Sequence, residues 1–157
     1  MSNNADTQGM PQPNPALKAL DRFIGAWEIT GRTEGAEEDN IKGKTTFTKL
    51  PGGFFVMQHI QMDFAGMIID ATELIGYDEE KQSIASSVYT TAPSPLPYTW
   101  KLNDDNVEIE VVYGPFNASF KGKFLPGGKY TGSWRPNPGA DPNVNVPYDI
   151  TGHKVEG

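Results

Sequence analysis

The hydrophobic pattern of the chain changes its period at Trp27. Before this residue, Leu17, Leu20 and Phe23 recur every three positions, a spacing that places them on one face of a short helix ending at Gly25. After it, short segments rich in β-branched and aromatic residues alternate with Gly, Pro, Asn and Asp. The sequence therefore predicts one short helix followed by β structure.

Ten segments have the strand pattern. They are predicted at 26–33, 41–50, 53–63, 67–76, 83–91, 98–103, 107–113, 116–125, 129–135 and 146–152. Few of the connections reach the dozen or more residues that a parallel crossover needs, so neighbouring strands should pair antiparallel. Closure of such a sheet removes its exposed edges. The predicted fold class is all-β, an antiparallel up-and-down ten-stranded barrel whose closed end is plugged by the short N-terminal helix.

The connections between these strands differ in length from one end of the barrel to the other. At one end, beside the helix, lie the short connections 51–52, 77–82, 104–106 and 126–128. At the other end lie 34–40, 64–66, 92–97, 114–115 and 136–145, three of which are long. We therefore expect a closed end around Phe23 and Trp27, and at the opposite end a mouth that leads into a cavity.

One mouth loop, 34–40, carries four acidic residues. Glu34, Glu37, Glu38 and Asp39 lie within six positions of one another. Their charge either favours a neutral or cationic guest at the mouth, or belongs to an ordinary solvated loop. Both interpretations stay open from the sequence.

Composition excludes several classes of protein. Thirteen Lys and Arg against twenty Asp and Glu give a formal net charge of -7, which disfavours nucleic acid and membranes as partners. Cysteine is absent, which excludes disulfides and thiol nucleophiles. The polar residues 1–14 lack the pattern of a signal peptide and are expected to form a disordered N-terminal tail, with residues 15–157 as one cytoplasmic barrel domain.

Alternation along the strands predicts which side chains face the interior. The inward set is mostly aromatic: Trp27, Phe47, Phe55, Tyr89, Trp100, Tyr113, Phe116, Phe120, Tyr130, Trp134 and Tyr148. From it and from the third strand we predict eight ligand-binding residues: Phe55, Met57, His59, Gln61, Tyr89, Trp100, Tyr113 and Trp134. A register slip of one residue would turn any of these strands over.

His59 is the candidate for chemistry. A compact turn at 64–66 should bring Asp70 of the next strand close to it, and a histidine oriented by a carboxylate can act as a general acid or base. No serine can be placed beside the pair from the sequence, so no nucleophile completes a triad. The alternative is a hydrogen-bonded histidine in the barrel wall.

The run Gly25-Ala26-Trp27 resembles the Gly-x-Trp opening of the calycin superfamily, in which the tryptophan packs over the closed end of the barrel. More closely, the chain resembles domain-of-unknown-function family 1579, an uncharacterised bacterial group of calycin-like barrels. The matching segments are 20–27 (LDRFIGAW), 50–55 (LPGGFF) and 75–78 (IGYD). This resemblance implies a fold without an activity. Lipocalins stack an arginine of the last strand on that tryptophan, and here Lys154 or Arg135 could take its place.

The chain is also similar to nitrobindins, which are ten-stranded barrels that bind haem through a histidine near the C-terminus. This similarity nominates His153 as a haem ligand. The chain departs from the nitrobindin pattern at Ile29, where that pattern has glycine.

Three functional hypotheses follow. The preferred one is a binding protein that holds a small, largely apolar molecule inside the barrel, with no cofactor and no metal. The second is a small isomerase or cyclase that uses His59 and Asp70 as an acid–base pair. The third is haem binding through His153. Assembly into a homodimer is left open.

Overall fold

The structure, a computed structural model, describes residues 9–155, and its ten strands form one closed antiparallel barrel. The strands are β1 (Gly25–Thr33), β2 (Ile41–Lys49), β3 (Val56–Phe64), β4 (Met67–Asp78), β5 (Ser83–Tyr89), β6 (Leu96–Asn103), β7 (Asn106–Tyr113), β8 (Phe116–Leu125), β9 (Lys129–Pro136) and β10 (Tyr148–Val155). Each strand pairs with its sequence neighbours, and β1 pairs with β10 to close the barrel. The predicted fold class is confirmed.

The predicted helix is a 3-10 helix at Pro15–Phe23. The side chain of Asn14 accepts a hydrogen bond from the N–H of Ala16 at 2.9 Å and so caps the helix. Leu17, Leu20 and Phe23 are buried, and their spacing of three matches the three residues per turn of a 3-10 helix. Residues 1–8 of the predicted tail lie outside the described residues, and the tail stays a prediction.

The helix closes one end of the barrel through Phe23. Its ring packs against those of Phe47, Trp100 and Phe124, with centroid distances of 5.0, 5.7 and 4.8 Å. The indole N–H of Trp27 donates to the carbonyl of Phe23 at 2.8 Å, which fixes the helix to β1. The predicted plug is therefore present.

The last strand supplies a cation over the plug. Lys154 Nζ lies 5.2 Å from the ring centroid of Trp27, within the range of a cation–π contact. Arg135 instead pairs with Asp149 on the outer surface, 2.8 Å away. Of the two substitutes named for the lipocalin arginine, Lys154 is the one the structure uses.

The inward orientation predicted for Met57, His59 and Gln61 is wrong. The turn before β3 extends to Phe55, whose carbonyl accepts from the N–H of Leu50 at 2.9 Å, so the strand begins at Val56 rather than residue 53. Alternation from Val56 places Gln58, Ile60 and Met62 inside instead.

Three predicted inward aromatics also lie at the surface. Phe55 belongs to the turn before β3, and its side chain is 51% exposed. Tyr89 follows Val88, which points inward, and therefore points out. Tyr113 has the inward parity of β7 but lies at the tip of the β7–β8 hairpin, beyond the wall, and is 44% exposed.

The remaining predicted inward aromatics do face the interior. They are Trp27, Phe47, Trp100, Phe116, Phe120, Tyr130, Trp134 and Tyr148.

Within the described residues, no helix is both long enough and apolar enough to cross a bilayer.

Candidate functional site

A cavity of about 290 Å³ lies inside the barrel, between the helix plug and the mouth. Its wall is mainly apolar and aromatic, and Phe120, Trp100 and Trp134 contribute to it. Trp100 and Trp134 are therefore the two predicted ligand-binding residues that the structure brings to the cavity. The other six predicted residues lie on the outer face of the barrel or in turns and do not line the cavity: Phe55, Met57, His59, Gln61, Tyr89 and Tyr113.

A strip of polar side chains crosses this apolar wall over five consecutive strands. Gln58 Nε2 donates to Thr45 Oγ1 at 2.7 Å, and Gln58 is the cross-strand neighbour of Glu73. Ser86 Oγ donates to Glu73 Oε2 at 2.5 Å, and Trp100 Nε1 donates to Ser86 Oγ at 2.9 Å. The strip therefore runs from β2 to β6, with a carboxyl group at its centre.

Glu73 is a buried acid, with 4% of its surface exposed. Burial raises its pKa from the usual 4.5 to about 7, against the opposing effect of the hydrogen bonds from Ser86 and Trp100. Burial also raises the pKa of Tyr98 on β6, and the negative charge of Glu73 adds to that rise. The carboxyl group of Glu73 therefore changes charge near neutral pH inside an apolar cavity.

The hydrogen bonds around Glu73 have a fixed direction. The indole of Trp100 can only donate, so Ser86 Oγ must accept from it. The hydroxyl proton of Ser86 is then directed at Glu73 Oε2, which must accept. The two hydrogen bonds from Trp100 to Ser86 and from Ser86 to Glu73 therefore stabilise the ionised form of the carboxyl group.

Asn145 pins the longest mouth loop over the cavity. It is buried, and its Oδ1 accepts from the backbone N–H of Asn117 at 2.8 Å. Its Nδ2 donates to the carbonyls of Pro115 and Asp141, both at 3.1 Å. The loop between β9 and β10 is thereby fixed to the β7–β8 hairpin.

Large apolar side chains are exposed around the mouth. We call the following residues the apolar rim: Met67, Ile68, Tyr89, Tyr113, Val144 and Val146. They come from hairpins, strand ends and the loop at the open end of the barrel. Val144 and Val146 also line the cavity, so the rim continues into it.

The predicted pair of His59 and Asp70 forms, but on the outer face of the barrel. His59 Nε2 lies 2.8 Å from Asp70 Oδ1, and the side chains are 43% and 64% exposed. Because the register places His59 outside, the pair cannot act on a molecule in the cavity. Exposed pairs of this kind contribute little to stability.

The residues present do not fit haem bound through His153. This histidine is exposed on the outer face of β10, where it pairs in register with Glu28 and Lys129. Within residues 9–155, no histidine lines the cavity, and no three His, Asp or Glu side chains form a group that could hold a metal ion.

Glu73 and Asn145 are the site residues that the sequence analysis missed. Glu73 shares the inward parity of Ala71 and Ile75, so a carboxylate at a core position was visible in β4. The predicted pairing of Asp70 with an inward-facing His59 instead placed the opposite face of β4 inside the barrel. Asn145 lies in a loop, and no periodicity indicates its burial.

A family model described as "Protein of unknown function (DUF1579)" matches residues 12–101, which is more than half of the chain. The chain belongs to the DUF1579 family. The match includes the helix plug and the strands that carry Thr45, Gln58, Glu73 and Ser86. No curated protein matches this member of the family.

Two solved structures share the fold of this DUF1579 protein. Rv2717c from M. tuberculosis has a TM-score of 0.58 and 13% identity, over 92% of this chain and 100% of that one. The S-type phycobiliprotein lyase CPES from Guillardia theta has a TM-score of 0.58 and 10% identity, over 100% of this chain and 99% of that one. At such identities the likeness concerns the fold alone.

Proposed function

We propose that this protein binds a small, largely apolar molecule inside its barrel. The observation that carries the proposal is the cavity of about 290 Å³, with its apolar and aromatic wall and a short polar strip. Binding sites for small molecules are commonly concave and mostly apolar, with a few polar groups that fix orientation.

The mouth supports the same function. The apolar rim gives an apolar molecule a favourable surface on its way into the cavity, and exposed apolar clusters commonly mark binding sites. Asn145 holds the adjacent loop in place, so the entrance is a fixed rim. The similarity in fold to a phycobiliprotein lyase is compatible with a barrel that holds a ligand.

The expected affinity is moderate. Burial of roughly 250 Å² of apolar ligand surface at about 25 cal/mol per Å² gives about 6 kcal/mol before the costs of association. Affinities in the micromolar range or weaker are therefore expected for a purely apolar guest.

Native mass spectrometry tests this function. The purified full chain is measured alone and after incubation with phenylnaphthylamine, a small apolar dye. We expect a copurified small molecule or a one-to-one complex with the dye. Absence of both, together with no rise in dye fluorescence, would refute the proposed function.

A further inference from the structure

Within residues 9–155, Glu73 is a buried acid that faces the cavity, and no Lys, Arg or His side chain is hydrogen-bonded to it. Within the described residues, Lys123 is the one basic residue that borders the cavity. Its side chain is exposed, because alternation along β8 turns it to the outer face of the barrel. A buried carboxylate without a positive partner is costly, because the low-dielectric interior solvates it poorly. A purely apolar guest would leave that cost in place.

The groups that surround Glu73 are hydrogen-bond donors or neutral. β3 contributes Gln58, β5 contributes Ser86, and β6 contributes Trp100 and Tyr98. Tyr98 is the titratable group among them, and burial raises its pKa and keeps it neutral near pH 7. Across the cavity, burial likewise keeps Tyr130 and Tyr148 neutral. Glu73 is therefore the group that changes charge in the lining near neutral pH.

The acidic mouth loop provides a second, independent argument. Glu34, Glu37 and Glu38 are exposed there, while Asp39 is paired with Arg32 at 3.0 Å. Together with the net charge of -7, these carboxylates attract cations to the mouth and repel anions. The charge outside the cavity thus favours the same kind of ligand as the carboxyl group inside it.

We propose that the cavity selects ligands that carry one protonated nitrogen on an otherwise apolar body, with Glu73 as the partner of that nitrogen. This inference rests on the proposed function and names its ligand class. Ser86 Oγ donates to Glu73 Oε2 and accepts from Trp100 Nε1, which holds the carboxyl group in place, and the aromatic wall surrounds the apolar body. A small aromatic or alkyl amine has this chemistry.

Three probes with the same ring system separate charge from shape. They are naphthylmethylamine, naphthylmethanol and naphthoic acid, each titrated into the full chain by isothermal calorimetry at about pH 5.5 and about pH 8. An alkyl amine stays protonated over this range. With a pKa of about 7, the ionised share of Glu73 rises from about 3% to about 90%. We expect the affinity for the amine to rise about 30-fold, and the affinity for the alcohol to stay constant.

Two isosteric variants complete the test. In Glu73→Gln, the affinity for the amine should lose its pH dependence and fall to that of the alcohol. Glu110→Gln removes the same charge from an exposed position on β7 and should behave as the unmodified chain. Thermal unfolding of each variant confirms that the barrel is folded.

The outcomes distinguish the two proposals. If the amine and the alcohol bind alike at both pH values, or if naphthoic acid binds as tightly as the amine, the selection of a cation is refuted and the apolar cavity stands. If none of the three probes binds the unmodified chain at either pH, both proposals are refuted.

Discussion

At the scale of single residues, Glu73 makes the stability of the barrel depend on pH. Its pKa rises on folding from 4.5 to about 7, so the folded chain binds more protons than the unfolded chain between these values. Stability from this group is present below about pH 4.5 and is lost as the pH rises to about 7. The loss is about 3 kcal/mol. In Glu73→Gln, the free energy of unfolding should lack this loss.

Urea unfolding at a series of pH values checks this expectation. Glu110→Gln, with its exposed side chain, should keep the pH dependence of the unmodified chain. Equal slopes for all three proteins between about pH 4.5 and pH 7 would show that Glu73 is not the buried acid described here.

His59 provides a second test at this scale. It lies on the outer face of β3, between Gln58 and Ile60, which face the cavity, so its removal should not affect a ligand in the cavity. His59→Ala should change the affinity for naphthylmethanol by less than about twofold and stability by less than about 1 kcal/mol, as is usual for exposed pairs. Calorimetry and thermal unfolding measure both. A large loss of binding would place His59 inside the barrel.

At the scale of elements, Asn145 makes the mouth loop a fixed structure. Asn145→Ala removes an acceptor for the N–H of Asn117 and two donors from a buried position, which should cost about 1–3 kcal/mol. The Asn117 amide should then exchange its hydrogen faster, as hydrogen-exchange NMR would show. Asn143→Ala, in the same loop with an exposed side chain, should leave that rate unchanged. An unchanged rate in Asn145→Ala would contradict the role of this side chain.

The elements differ in how well their sequence predicted them. All ten strands and the helix were visible, because turn residues separate segments of clear period. The register of β3 was not predictable, because residues 53–55 fit the strand pattern but belong to the turn at 50–55. An error of one residue in the register moves every side chain of a strand to the opposite face of the sheet. Trp100 and Trp134 were found on strands where parity was clear, and Glu73 was missed where it was not.

At the scale of the whole molecule, the barrel combines one sealed end with one open end. Phe23 and Trp27 seal the bottom, while the apolar rim and the Asn145 loop form the mouth. The length of the connections predicted this polarity, because long loops collect at the end where strands need no tight turn. A homodimer and a cytoplasmic location stay predictions, since both depend on surfaces and signals that a single barrel does not decide.

Dye binding by two neighbouring variants tests the hollow barrel most directly. Val111 is 4% exposed and lines the cavity, whereas Val112 is 63% exposed on the opposite face of β7. Val111→Phe should fill part of the cavity and lower the affinity for phenylnaphthylamine by about tenfold or more, while Val112→Phe should leave it unchanged. Equal dye fluorescence titrations for both variants, with both proteins folded, would show that the dye binds outside the barrel and would contradict the account.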